Sequence, residues 1–142
     1  MRGDRGDVSR HTFEDHVGEV RLRVEARTLG DLFEEAARGL TELIAEVSTT
    51  ANVEDETTVV LRAHDREALL VDWLNELIFL FETRHLVYSD VHVRSVTDTV
   101  LEAVVRGSKP HVLRTAVKAA TLHELRIEET SRGFSATIVL DV

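Results

Sequence analysis

One segment, residues 66–83, is apolar around most of its circumference, and it constrains the fold more than any other part of the chain. Asp65 stands in front of it as a helix N-cap residue. A helix with so little polar surface has to be covered on more than one side, so we expect it to be the central core element. Its one polar strip consists of Asp72, Asn75 and Glu76. We interpret that strip as the solvent-facing side, with a ligand-binding face as the alternative.

The remaining chain shows one more helix and several strands. Apolar residues recur at helical spacing over residues 29–46, and Thr28 with Asp31 three positions later nearly matches a capping box. Residues 20–26 alternate between apolar and polar, which is typical of a half-buried strand. Further segments rich in β-branched residues predict strands at residues 57–63, 86–96, 99–106, 117–128 and 134–141.

The predicted order is therefore β-α-β-α-β-β-β-β. One mixed β-sheet with two main helices packed on it, a two-layer domain of the α+β class, is the economical architecture. A length of 142 residues favours one domain, which we place at residues 11–142. Residues 1–10 carry two Arg-Gly-Asp tripeptides, and we interpret them as a flexible polar tail rather than an adhesion motif.

Composition narrows the classes of function. The formal net charge of −9 argues against strong direct binding of nucleic acid, which depends on basic contacts to phosphate. The chain has no cysteine, which excludes disulfides and zinc–thiolate sites. No apolar run approaches the roughly 20 residues of a membrane span. We expect a cytoplasmic protein without a membrane-spanning segment.

Carboxylates stand at both ends of the predicted fold. Asp141 closes the apolar last strand, where an unpaired buried charge would be costly, and Asp15, His16 and Glu19 precede the strand at residues 20–26. If the two strands are neighbours, the carboxylates converge, and a cation would relieve their repulsion. Oxygen ligands favour Ca²⁺, Mg²⁺ or Mn²⁺ over zinc, and the main-chain and terminal oxygens of Val142 would add hard ligands.

Lys118 stands among apolar residues in the predicted strand at residues 117–128. It is either an outward-facing lysine on a half-exposed sheet or a lysine near the acidic residues that grips a phosphate or a carboxylate. The residues alone leave both alternatives open. The sequence has no phosphate-binding glycine loop and no nucleophile elbow, so a complete catalytic site is not recognisable.

Five segments together resemble one known family. They are Asp-His-Val-Gly-Glu-Val at residues 15–20, the helical stretch at residues 28–40, Leu-Leu-Val-Asp-Trp-Leu-Asn-Glu-Leu at residues 69–77, Val-Lys-Ala-Ala-Thr-Leu-His at residues 117–123 and Val-Leu-Asp-Val at residues 139–142. In this order and spacing they resemble the archease family. Archeases are small proteins that assist the RNA-splicing ligase joining 2′,3′-cyclic-phosphate ends to 5′-hydroxyl ends.

The resemblance implies a metal-binding activator of that ligase rather than an enzyme. Archeases speed the guanylylation of the ligase, so that it turns over repeatedly, and broaden its nucleotide use. The ligase is therefore the implied protein partner, and a divalent metal ion is the implied cofactor. The family's metal ligands and functional pocket map to two sets of residues: Glu19, Asp141 and Val142 as ligands, and Lys118, Asp15 and His16 in the pocket.

The chain departs from the family at its first signature. Val17, Gly18 and Glu19 replace the family's Thr-Ala-Asp. Glutamate keeps the charge but is one methylene longer, and Gly18 gives the backbone room to absorb the difference. Because Ca²⁺ tolerates irregular geometry better than Mg²⁺ does, we expect calcium, with magnesium or manganese as alternatives.

Two other functions compete with ligase activation. One is a metal-dependent phosphoester hydrolase in which Glu19 and Asp141 bind the metal and Lys118 binds a phosphate. The other is a structural or chaperone-like module without metal.

Overall fold

Two helices and ten strands make up the fold within residues 9–142, the part of the chain that the computed structural model describes. The elements in chain order are β1 (Arg10–His16), β2 (Glu19–Ala26), α1 (Leu29–Ile44), β3 (Ala45–Glu46), β4 (Asp55–Arg62), α2 (Arg66–Arg84), β5 (Val87–Val96), β6 (Val100–Ser108), β7 (Val112–Leu113), β8 (Ala119–Thr121), β9 (Glu128–Thr130) and β10 (Gly133–Asp141).

Helix α2 is the central core element, as its apolar circumference predicts. Trp73 on this helix is fully buried, and its indole N–H donates to the main-chain oxygen of Phe33 at 2.9 Å. This bond satisfies the one polar group of the tryptophan side chain inside the core. The helix begins as expected, because the Asp65 carboxylate accepts the N–H of Ala68 at 2.8 Å.

Helix α1 begins where the capping pattern predicts it. The Thr28 hydroxyl accepts the N–H of Asp31 at 3.0 Å. The helix ends at Ile44, two residues before the predicted limit, because Ala45 and Glu46 leave it to pair with β7. The helix packs between β2 on one side and β5 on the other, so it links two sheets.

The α+β class and the two packed helices are confirmed, whereas the predicted single mixed sheet is replaced by separate antiparallel sheets. The largest has the strand order β1-β2-β10-β8, with β9 added beside β10. A second sheet has the order β4-β6-β5, and β3 pairs with β7. The short connections within β1–β2, β5–β6 and β9–β10 allow only hairpins, which makes these pairs antiparallel.

The predicted order of elements does not include strand β1, which the structure shows before the strand predicted at residues 20–26. Strand β1 is polar, and within residues 9–142 it pairs with β2 alone. Its sequence lacks the apolar alternation by which a half-buried strand is recognised. It begins at Arg10, inside the segment predicted to be a tail. Residues 1–8, which hold both Arg-Gly-Asp tripeptides, lie outside the described residues.

The strand predicted at residues 117–128 is much shorter in the structure. Only β8 is extended, and the chain then turns at Glu124, which has a φ of 53°. The main chain of Ile127 is bound at the start of α2, where its N–H donates to Glu67 and its oxygen accepts from Arg66. These two bonds draw the chain away from the sheet, which explains why the strand stops.

Asn75 has a structural role that neither interpretation of the polar strip on α2 foresaw. Its amide group bonds both main-chain groups of Ala120, with Nδ2 to oxygen at 3.1 Å and Oδ1 to nitrogen at 2.8 Å. Ala120 lies in β8, at the edge of the five-stranded sheet. The side chain therefore supplies the hydrogen bonds of a missing neighbour strand and ties the sheet edge to α2.

We expect Asn75→Ala to lower the free energy of unfolding by about 1–3 kcal/mol, because it leaves two part-buried main-chain groups of Ala120 without their partner. Urea unfolding followed by circular dichroism measures the change. Asp72→Ala, on the exposed side of the same helix, is the control and should stay within about 0.5 kcal/mol of the unchanged protein. Equal stability of the two variants would contradict the role assigned to Asn75.

Candidate metal centre

Glu19 and Asp141 face each other on neighbouring strands. Strands β2 and β10 are antiparallel, and their register pairs Asp141 directly with Glu19. Side chains of directly opposed residues point to the same face of a sheet, with Cβ atoms roughly 4.5–5.5 Å apart. The buried residues of β2 alternate with Glu19, so both carboxylates lie on the face turned away from the helices. The two strands are therefore neighbours, and the register sets Glu19 opposite Asp141.

Main-chain bonds fix the end of β10 in this position. The N–H of Val142 donates to the oxygen of Gly18 at 3.2 Å, and the N–H of Lys118 donates to the oxygen of Asp141 at 2.7 Å. Gly18 lies in the two-residue turn between β1 and β2 with a φ of 76°. A β-carbon on Gly18 would meet nothing within 4 Å, so the turn conformation, rather than lack of space, requires glycine.

Arg21 forms an ion pair with Glu19, one of the predicted ligands. Its Nε donates to Oε2 of Glu19 at 3.0 Å, and both side chains are partly exposed. Arg21 is not among the site residues predicted from the sequence. Its position near Glu19 could have been predicted from the sequence, because residues two apart in a strand share a face and Arg21 lies on the outward face of β2.

His16 and Asp15 separate onto opposite faces of β1. His16 pairs with Glu19 and shares its face, and its Nε2 lies 2.7 Å from Oε1 of Glu14. This hydrogen bond is the main cause that lowers the pKa of the Glu14 carboxyl. Asp15 instead pairs with buried Val20 and therefore lies on the other face. Of the two residues predicted near the pocket, only His16 therefore shares a face with Glu19.

Lys118 adjoins the site through its main chain. It directly precedes β8, whose first residue, Ala119, pairs with Asp141. The Lys118 side chain is exposed. The main-chain position beside Asp141 and the exposed side chain leave both alternatives for this lysine open.

At this end of the sheet few donor atoms are available to a cation, and the carboxylate and main-chain oxygens among them are hard ligands. Within residues 9–142, no three side chains of His, Asp or Glu converge closely enough to hold a metal ion. A cation between Glu19 and Asp141 would therefore need main-chain oxygen, such as that of Val142, and water. Ca²⁺ and Mg²⁺ accept such mixed oxygen sets, so the residues fit an open, partly hydrated site in which Arg21 competes for Glu19.

Within the described range, neither helix is long and apolar enough to cross a membrane.

These features define a small α+β protein with a carboxylate pair at one end of an uncovered sheet face. Residues 11–142 match the model of the Archease protein family (MTH1598/TM1083), and the chain belongs to that family. Archeases are accessory proteins rather than enzymes, so the alternative of a phosphoester hydrolase is not retained.

Curated relatives support the family assignment along nearly the whole chain. The protein archease of Methanosarcina mazei is 29% identical over 141 residues, covering 94% of this chain and 96% of its own length. The protein archease of Archaeoglobus fulgidus is 31% identical over 137 residues, covering 94% of this chain and 99% of its own.

Two solved structures share the fold. The solution structure of Methanobacterium thermoautotrophicum protein 1598 superposes with a TM-score of 0.74 at 26% identity, covering 93% of this chain and 98% of that one. A crystal structure from Thermotoga maritima, described as an archease and possible chaperone, gives a TM-score of 0.68 at 18% identity, covering 91% of this chain and 94% of that one. At that identity the second structure is informative about the fold alone.

We expect Gly18→Ala to lower the free energy of unfolding by about 1–2 kcal/mol, the usual cost of a left-handed backbone for a residue with a β-carbon. Gly18→Asn is the matched control and should cost less, because asparagine adopts this conformation more readily. Thermal or urea unfolding compares the two variants. If alanine were tolerated as well as asparagine, the turn conformation would not explain the glycine.

Proposed function

We propose that this archease is a metal-binding accessory protein that activates an RNA-splicing ligase by promoting its guanylylation and repeated turnover. The observation that carries the proposal is the direct pairing of Glu19 with Asp141 on an uncovered sheet face, in a chain of this family. Both carboxylates stand at the end of the sheet, where a partner protein can approach them without displacing a helix.

The residues at this site would act by position and charge. Glu19 and Asp141 would hold a hard divalent cation, with calcium favoured, and Val142 would contribute main-chain oxygen. When bound, the cation supplies positive charge that can meet phosphate oxygens. Lys118, which adjoins Asp141 through its main chain, would add a second positive group facing the same partner.

The charge of the whole chain suits such a partner. At a net charge of −9 it would be attracted to a ligase whose RNA groove is basic, and it would not compete for the RNA itself. This supports a transient protein contact rather than direct binding of long nucleic acid.

A chaperone-like module without metal is the second candidate. It is favoured by the ion pair between Arg21 and Glu19, which already neutralises one of the two carboxylates. Calorimetry with Ca²⁺, Mg²⁺ and Mn²⁺ separates the two candidates, since heat of binding that depends on Asp141 is expected only for the metal-binding activator.

We expect Asp141→Asn to reduce stimulation of ligase guanylylation at least about tenfold, the lower end of the loss seen when groups around a metal are altered. The exposed side chain is nearly isosteric with asparagine, so the fold should be unaffected. The assay measures guanylylated ligase with and without the protein. Asp90→Asn, exposed on β5, is the control and should stimulate fully. Full stimulation by Asp141→Asn would refute the proposed role.

We expect Arg21→Gln to tighten Ca²⁺ binding by up to about fivefold, because it removes a competing cation from Glu19 whose exposed ion pair contributes at most about 1 kcal/mol. Calorimetry measures the dissociation constant. Arg23→Gln is the matched control, since Arg23 lies on the same face of β2 but contacts Glu25 and Thr137 instead. Weaker binding in Arg21→Gln than in the control would contradict the competition.

A further inference from the structure

The uncovered face of the five-stranded sheet carries opposite charges at its two ends. Glu14, Glu19 and Asp141 stand at one end, which we call the acidic corner. Arg23 and Glu25 lie further along the same face of β2. At about 3.3 Å per residue, Glu25 lies about 20 Å from Glu19. The side chains at the far end of the face are therefore too distant to contact those of the acidic corner.

That far end contains a cavity of about 720 Å³, which we call the basic groove. The strand start at Arg10 forms one side, and the hairpin between β9 and β10 lies on the other. Its charged lining residues are four arginines and two glutamates: Arg10, Arg23, Arg27, Arg132, Glu25 and Glu129. These six side chains sum to a charge of +2, in a chain whose net charge is −9.

The hydrogen bonds of Arg10 and Arg23 leave several of their N–H donors available. Glu25 accepts from Nε of Arg10 at 2.5 Å and from Nη2 of Arg23 at 3.3 Å, and Nη1 of Arg23 donates to the Thr137 hydroxyl at 3.4 Å. A guanidinium has five N–H donors, so these bonds use one donor of Arg10 and two of Arg23. Oε1 of Glu129 lies 3.6 Å from Nη1 of Arg66, which does not line the groove. This ion pair partly neutralises the negative charge of Glu129.

The hairpin side of the groove is held in place by a close backbone contact. Gly133 has a φ of 128°, and a β-carbon there would lie 2.3 Å from the main-chain oxygen of Ala26. Only glycine permits this approach, which brings the turn residues Ser131 and Arg132 beside the end of β2. Thr130, Ser131 and Ser135 therefore line the groove together with the arginines, and the Thr130 hydroxyl accepts the N–H of Arg132 at 3.1 Å.

We propose that the basic groove binds a short phosphate-bearing anion, of the size of a triphosphate or a nucleotide. Guanidinium groups match phosphate oxygens in geometry as well as charge, and hydroxyl groups complete such sites. The volume lies within the range of small-molecule sites. The acidic corner on the same face disfavours a longer polyanion that extends along the strands.

Calorimetry with inorganic tripolyphosphate in metal-free buffer tests the proposal on the full chain. We expect saturable 1:1 binding that is weakened roughly tenfold or more in the double variant Arg23→Gln/Arg132→Gln, since each bond to a charged group contributes about one decade in affinity. Arg132→Gln alone, at an exposed turn position, serves if the double variant fails to fold. Arg94→Gln/Arg106→Gln removes the same charge from the other sheet and should bind as the unchanged protein does.

The source of the phosphate is distinguished by two further titrants, a nucleoside triphosphate and 3′-phosphorylated oligoribonucleotides of increasing length. Tighter binding of the nucleoside triphosphate than of tripolyphosphate supports a nucleotide ligand. Affinity that keeps rising with oligoribonucleotide length would overturn the short-anion assignment, as would the absence of saturable binding. Asp141→Asn should bind tripolyphosphate normally, so this result stands apart from the outcome of the ligase assay.

Discussion

The antiparallel pairing of β2 with β10 is the constraint on which the rest of the structure depends. Eight residue pairs run from Phe134 opposite Ala26 to Asp141 opposite Glu19. Through this ladder the last strand of the chain lies between β2 and β8 and closes the sheet against the helices. A shift of β10 by one residue would turn its buried residues Ile138 and Leu140 outward, so burial fixes the register and the register fixes which carboxylates meet.

The two faces of the five-stranded sheet differ in what covers them. The inner face packs on α1 and contributes to the common core, and the Asn75 amide ties its edge strand to α2. The outer face has no helix against it within residues 9–142, and its side chains on β2 and β10 are charged or small apart from the buried Val139. Because the core does not restrict them, these side chains can be arranged for binding, with carboxylates at one end and guanidinium groups at the other.

The sequence predicts the elements whose stability depends on local patterns. Both helices follow from apolar spacing and from the caps at Thr28 and Asp65, which the structure shows bonded as expected. Strand β1 and the early end of β8 were not predictable in this way, because they depend on pairing and on side chains of α2 distant in sequence. Tertiary contacts of this kind leave no periodic signal in the strand itself.

In the candidate site, too, some features could be predicted from local sequence patterns and others depend on tertiary contacts. The meeting of Glu19 and Asp141 followed from two strand ends that a core would bring together, and the separation of Asp15 from them required the actual register of β1. Alternation along β2 could have identified Arg21 as a neighbour of Glu19. The basic groove was beyond prediction, since Arg10, Arg23 and Arg132 come from three separate strands or turns.

The ion pair of Arg21 with Glu19 also bears on how the fold tolerates two carboxylates at the ends of paired strands. A guanidinium that is covalently part of the chain acts as an internal counter-ion to one of them. Part of the charge at this strand pair is therefore balanced within the chain, without an ion taken from solution.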